Sequence, residues 1–389
     1  RLRAEGFNAL LLEAHALGGG QTIASQGIIH GGVKYALGGS VGDASRAIAQ
    51  MPALWRDCLE GTGPIDLRAV RVLSETQCLW TARGMGARLM GIAASRSIRA
   101  GVSTIAREDR PEGFRDAPGG VDVYTVPEPV LEPRSLVESI AAPHEKRCLR
   151  FDAGSLEIAT HAGAVAGVEC LLGGEAVRLE ARLTVLCAGE GNEALLDQAA
   201  AALGAPRSST PPMQRRPLHM VIARERSEGT LPPMYAHAVG MASGPLATVT
   251  SQRDSSGRRV WWIGGGIAES GVDRSPVEQV KHAMEQLDAL APWIDWSVVD
   301  WATVRIDRAE ARTESGRRPD GPAVIDWAGC AVCWPSKLAF APVVADRVLD
   351  IARRRCTPTG ASDVGEALPD APIAPVARLP WEREDLQWF

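Results

Sequence analysis

Residues 21–35 read Q-T-I-A-S-Q-G-I-I-H-G-G-V-K-Y, a short stretch dense in groups that can do chemistry. Hydroxyls and backbone N–H groups here can ligate a diphosphate, and the pair Gly31–Gly32 lets backbone approach a flat ring closely. The contacts expected are Gln21, Thr22, Ser25, Gln26, Gly27, His30 and Gly31. His30 either stands beside that ring or supports the loop through a ring hydrogen bond. A second candidate lies at T-V-R-I-D-R, residues 303–308. Strand alternation puts Thr303, Arg305 and Asp307 on one face, with Val304 and Ile306 turned to the core. Arg305 is then the group to hold a carboxylate or phosphate in a bidentate pair. The plainer reading is a solvated Arg305–Asp307 pair. Taking a proton from a bound ligand also requires an acceptor. His219, Tyr235 and His237 are candidates on the expected substrate-side sheet, and a histidine such as His219 is the favoured type.

The elements that must position these groups are legible at coarse grain. Residues 1–5 read as the end of a helix stopped by Gly6, and 7–12 as an apolar strand closed by Glu13 and Ala14. Helix, glycine stop, strand and terminal acid make the second half of a βαβ dinucleotide unit, whose acid meets the ribose hydroxyls. The first strand and its G-x-G-x-x-G loop are expected upstream of residue 1. Helices are expected at 43–58, 85–98, 133–142, 192–203, 276–290 and 341–354. The 276–290 helix opens on a capping box, Ser275 with Glu278. Strands are expected across 71–80 and, broken by a turn, 123–131, then at 147–151, 156–160, 165–171, 176–180 and 183–187. Residues 206–216 read as a linker. After it come strands at 217–223, 234–238, 246–251, 260–264 and 301–307, and a hairpin at 324–334. The fold class is α/β, a Rossmann-like dinucleotide-binding domain interleaved with an antiparallel-sheet substrate domain. The first comprises 1–75, 126–205 and 301–356, the second 76–125 and 206–300, and 357–389 forms a surface-wrapping tail.

Composition sets limits. With 389 residues, 40 of them glycine, the chain can build two domains with many tight turns. A net charge of -5 argues against nucleic acid as a partner. No apolar run is long enough to span a membrane; peripheral contact stays open, and oligomeric state is not legible. The 8 cysteines are scattered through apolar surroundings, reading as small buried hydrophobes of a cytoplasmic protein and not as a disulfide framework. Cys330 and Cys333 have C-x-x-C spacing, but on a strand they point to opposite faces. No metal is expected.

The order T-I-A-S-Q-G-I-I-H-G-G-V-K-Y resembles the equivalent segment of FAD-dependent glycerol-3-phosphate dehydrogenases, within the D-amino-acid-oxidase-like flavoproteins. L-T-V-L-C-A-G-E-G, residues 183–191, is similar to the second nucleotide-side element of that superfamily, where Ala188 and Gly189 would pass the cofactor. Residues 301–312 resemble the strand that brings an arginine to the substrate. C-W-P-S-K-L-A-F-A-P-V-V, residues 333–344, resembles the loop at the flavin's pyrimidine edge, implying contacts from Ser336, Lys337 and Leu338. Lys337 would there stabilise negative charge on the reduced ring. The resemblance implies bound FAD and hydride transfer from a small, anionic substrate to flavin N5. Two departures weigh against glycerol 3-phosphate itself: Trp334-Pro335-Ser336 replaces a Gly-Gly, and only about thirty residues follow the last helix. The rivals are an amine or amino-acid oxidase producing peroxide, a flavin-binding protein without turnover, and an NAD-dependent dehydrogenase.

Overall fold

The computed structural model describes residues 1–31, 43–81, 102–240, 244–360, 368 and 370–389, with backbone alone at 43–46. The expected helix at 85–98 and the run from Gly32 to Tyr35 lie outside the described residues. Gly6 ends a short turn at Arg3–Glu5 in the left-handed conformation that stops helices. Then come β1 (Leu11–Glu13), α1 (Asp43–Leu59), β2 (Val72–Ser74), β3 (Gln77–Thr81), β4 (Ser103–Thr104), β5 (Val123–Val126), β6 (Val130–Leu131) and α2 (Pro133–Ala141). The middle of the chain gives β7 (Cys148–Arg150), β8 (Glu157–His161), β9 (Ala164–Leu172), β10 (Glu175–Glu180), β11 (Thr184–Leu186) and α3 (Asn192–Leu203). Next follow β12 (Met213–Glu225), β13 (Ala236–Val239), β14 (Ala247–Arg253), β15 (Arg259–Gly264), α4 (Gly266–Ser270) and α5 (Pro276–Leu290). The last are β16 (Val299–Ala311), β17 (Ala323–Trp327), β18 (Cys330–Trp334) and α6 (Ala341–Arg355).

Two small sheets carry the Rossmann-like part. β1 pairs in parallel with β7, and β11 pairs in parallel with β18, which closes a hairpin with β17. The rest is dominated by an eight-stranded sheet in the order β16-β12-β15-β14-β13-β3-β5-β4, antiparallel except where β13 meets β3. The fold is therefore α/β, a Rossmann-like region interleaved with antiparallel sheets.

The large sheet is buried on both faces, and side-chain alternation sorts its residues between them. One face carries Trp80, Val221, Ala223, Trp261, Ile263 and Trp301, packed against Val280, Ala283 and Leu287 of α5. The Ser275–Glu278 capping box starts that helix as its sequence requires. The other face carries Met220, Ile222, Trp262, Ala302 and Val304, packed against Ile23 and against Leu379 and Trp381 of the tail. Each tryptophan buried here contributes on the order of 2–3 kcal/mol of transfer free energy.

Three elements differ from their sequence reading. Residues 7–10 are not strand; Phe7 packs instead against Leu349 and Ala352 of α6. Residues 213–216 belong to β12, because its ladder with β16 starts at Met213↔Ala311. The tail, read as surface-wrapping, enters the core: Trp381 sits 6.1 Å from Trp262, ring to ring, and Phe389 exchanges backbone hydrogen bonds with Trp301. Among the described residues, no helix is long and apolar enough to cross a membrane.

Candidate active site

Residues 21–31 cross the large sheet on the face opposite α5, stapled at every second or third residue. The Gln21 Oε1 accepts from Ala309 N at 2.8 Å, and Trp262 Nε1 donates to Ala24 O at 2.9 Å. Gln26 Nε2 donates to Thr248 O at 3.0 Å and Trp262 O at 2.9 Å, reaching across the gap that Gly264 leaves. On its far side the segment runs antiparallel to residues 128–131. Leu131 N donates to Gly27 O and Ile29 N to Pro129 O, both at 2.9 Å. Gly27 is required here: its φ is +69°, and a Cβ would stand 1.8 Å from Leu131 O. Gly27 thus serves a backbone-to-backbone contact, and Gln26 an anchoring one.

The segment ends at a cluster the sequence reading held only in part. Glu128 sits in the turn Pro127-Glu128-Pro129, with its side chain only 6% exposed. Its Oε1 accepts from Gly31 N at 2.7 Å, and its Oε2 lies 3.1 Å from His30 Nδ1. The His30 ring stacks on that of His237, centroids 5.8 Å apart and planes 24° apart. His237 Nδ1 in turn lies 2.8 Å from Thr248 Oγ1. Thr248 and His237 are paired across β14 and β13, and both point to the face that carries residues 21–31. Donor atoms of His30, Glu128 and His237 all lie within 4.8 Å of one another, a spacing that could hold a metal ion. The His30–Glu128 contact is however a direct hydrogen bond, the arrangement of groups that share a proton.

The structure does not bring Arg305 and His219 to this cluster. They are paired across β12 and β16 and share the α5 face, on the other side of the sheet. The Arg305 guanidinium donates to the carbonyls of Val272 and Arg274, in the loop before α5. His219 is buried, with Nδ1 3.0 Å from Gly271 O and Nε2 2.9 Å from Thr303 Oγ1. Burial pulls its pKa below the usual histidine value, only partly offset by the Gly271 carbonyl. The alternation expected for β16 holds. Val304 and Ile306 turn to the core as expected, on the face that packs against Ile23 and Ala24. Arg308 shares it, half-buried between Arg216 O at 3.1 Å and Glu269 Oε1 at 3.5 Å. Tyr235 precedes β13, its carbonyl accepting from Cys78 N.

The remaining expected contacts come from the ends of parallel strands. Glu13 closes β1 and holds His15 N at 3.0 Å, with Ala14 partly exposed beside it. Ala188 and Gly189 follow β11; Gly189 has φ +61° and nothing within 4 Å of a Cβ placed on it. Cys187, directly after the same strand, is exposed; desolvation by neighbouring protein, and behind it the Glu13 charge, pushes its thiol up. Trp334 Nε1 donates to Gly189 O at 3.2 Å, joining this element to the turn that carries Ser336, Lys337 and Leu338. Ser336 adopts φ +59°, the left-handed conformation glycine favours. Lys337 N donates to Pro335 O at 2.7 Å, and Leu338 opens the short turn into α6. The side-chain oxygens of Ser25 and Ser336 are both buried without a partner among the described residues. Thr22 closes a turn with Ser25 N at 3.1 Å. By contrast Cys330 and Cys333 are buried on opposite faces of β18, their thiols pushed up by burial to about 11 and about 12. Neither supplies a thiolate.

The model for the DAO family, FAD dependent oxidoreductase, matches residues 1–341 of this chain. The chain belongs to that family. The probable FAD-dependent oxidoreductase PA4991 of Pseudomonas aeruginosa is 41% identical over 383 residues, covering 98% of this chain and 93% of that protein. Its crystal structure superposes with a TM-score of 0.79 at 36% identity, covering 98% of this chain and 92% of that one. Iminodiacetate oxidase from Chelativorans sp. (TM-score 0.60, 14% identity, 94% and 93% coverage) shares the fold. So does L-α-glycerophosphate oxidase from Mycoplasma pneumoniae (0.57, 9%, 90% and 90%). Glycerol-3-phosphate enzymes are thus one branch among those that share it. The chain is an FAD-dependent oxidoreductase, and its residues fit that cofactor: two buried serine hydroxyls without partners among the described residues, an open side at Gly189, and Glu13 and Ala188 at the ends of parallel strands.

Proposed function

We propose that this protein oxidises a carbon bearing a hydroxyl or amino group in a small anionic molecule. The observation that carries the reading is the His30–Glu128 pair, at the end of the stapled segment and stacked on His237. FAD, when bound, accepts the hydride at N5; the protein must position the substrate and take the remaining proton. His30 is the group we assign to that proton. Lys337, in the turn leading to α6, supplies positive charge for the reduced cofactor. Glu13, Ala14, Thr22, Ser25, Ala188, Gly189, Ser336 and Leu338 are the contacts proposed for the cofactor, while Gln21, Gln26 and Gly27 hold the loop that presents it. The anionic character rests on iminodiacetate and glycerophosphate, named for relatives of the same fold; each carries carboxylate or phosphate. Amines are the second reading, favoured because iminodiacetate oxidase and glycine oxidase superpose as well as the glycerophosphate enzyme does.

Anaerobic mixing of the FAD-loaded protein with glycine, sarcosine, iminodiacetate, lactate and glycerol 3-phosphate tests this. Bleaching of the flavin band by one of them assigns the substrate class; peroxide on readmitting oxygen marks an oxidase. A flavin that none of them reduces contradicts the proposal.

A further inference from the structure

Glu128 looks in the sequence like any acid in a proline turn, and nothing in the chemistry of residues 21–35 calls for it. In the structure its carboxylate is buried, a situation that costs several kcal/mol unless hydrogen bonds compensate it. Two compensating bonds go to the active-site segment: Gly31 N–H on one oxygen, His30 Nδ1 on the other. The turn that carries it is itself fixed. Glu128 N donates to Val126 O at 2.8 Å, Ile29 N to Pro129 O at 2.9 Å, and Arg56 donates to Pro127 O. The backbone that carries the carboxylate is thus held against the segment, which gives the ring a defined partner. An ionised carboxylate only accepts, so the nitrogen facing it carries the hydrogen. In the neutral imidazole the lone pair is then on Nε2. A carboxylate in contact with the ring attracts positive charge placed on it.

We infer that Glu128 is the positioning residue of this site. It fixes His30 as the Nδ1–H tautomer and stabilises the charge His30 acquires when Nε2 takes the substrate's O–H or N–H proton. This rests on the proton-accepting role proposed for His30. The balance is that of the parent oxidation. The C–H pair leaves as hydride to the cofactor, the O–H or N–H proton goes to Nε2, and the carbon becomes a carbonyl or imine.

Glu128→Gln separates positioning from scaffolding. Glutamine keeps the acceptor for Gly31 N–H but turns an N–H toward Nδ1, which must become the acceptor, inverting the tautomer. Long-range ¹H–¹⁵N correlation on ¹⁵N-histidine-labelled, FAD-loaded protein reads this without substrate, with His30→Asn assigning the signal. The expected result is Nδ1–H in the parent and Nε2–H in Glu128→Gln. With whichever panel compound bleaches the parent flavin, kcat falls about 10²–10³-fold while KM changes less than about threefold, and Glu128→Asp recovers part of the loss. An Nε2–H tautomer in the parent overturns the inference even if the variant does not fold. So does an unchanged tautomer or an unchanged kcat in Glu128→Gln. If no compound reduces the parent flavin, the substrate reading fails while the tautomer still decides the role of Glu128.

Discussion

The two faces of the eight-stranded sheet each bury a histidine, and the two are held in opposite ways. On the α5 face both ring nitrogens of His219 are occupied by protein oxygens, Gly271 O and Thr303 Oγ1, and the neighbouring Arg305 is spent on two carbonyls. On the other face His237 lies against a second imidazole that is itself paired with a buried carboxylate. The first arrangement locks a neutral ring into a scaffold. The second assembles groups among which a proton can move. Burial of a histidine therefore says little about its role; the partners on its two nitrogens say a good deal.

The comparison breaks most sharply if chemistry responds equally to both faces. His30→Asn is expected to slow flavin reduction about 10²–10⁴-fold with the cofactor retained. Arg305→Met on the opposite face should change the same stopped-flow rate by less than about threefold. Equal losses in the two variants would remove the distinction. The next largest effect is structural. Gly27→Ala must place a methyl group against Leu131 O at positive φ. It should cost at least about 3 kcal/mol in a urea titration and weaken FAD retention.

A smaller effect concerns pH. Burial lowers the His219 pKa, so above the ordinary value of 6.5 both folded and unfolded chains keep the ring neutral and no penalty arises. Below it the unfolded chain takes up a proton that folded His219 resists, and stability falls as pH drops. Burial lowers His144 and His282 too, so His219→Asn should flatten the decline between about pH 7 and about pH 5.5 only in part. A decline as steep in the variant as in the parent would show that His219 contributes nothing to it. Smallest is Ser336→Gly, which relieves a left-handed serine and should stabilise the protein by about 1 kcal/mol, read as a rise in Tm.

How far the sequence reached follows from the range of its signals. Local ones held: the capping box of α5, the α3 helix over Asn192–Leu203, and the left-handed stop at Gly6. So did the alternation in β16, which placed Thr303 and Arg305 together. What alternation could not supply was which face meets residues 21–31, because that depends on packing between elements far apart in the chain. The same limit hid Glu128: it reaches His30 across 98 positions, and a proline-flanked acid carries no periodic signature. The V-P-E-P-V turn was visible only as a break between strands. The pairing of residues 213–216 with β16 was missed because a run rich in Pro and Arg has no apolar alternation to announce it.

The most direct test of the account is anaerobic reduction of the bound flavin, followed side by side in the parent, His30→Asn and Arg305→Met proteins with the same panel of anions. The account predicts a flavin that bleaches with at least one compound in the parent and in Arg305→Met, and far more slowly in His30→Asn. A flavin equally fast in His30→Asn, or slowed only by Arg305→Met, would place the chemistry on the other face of the sheet and contradict it.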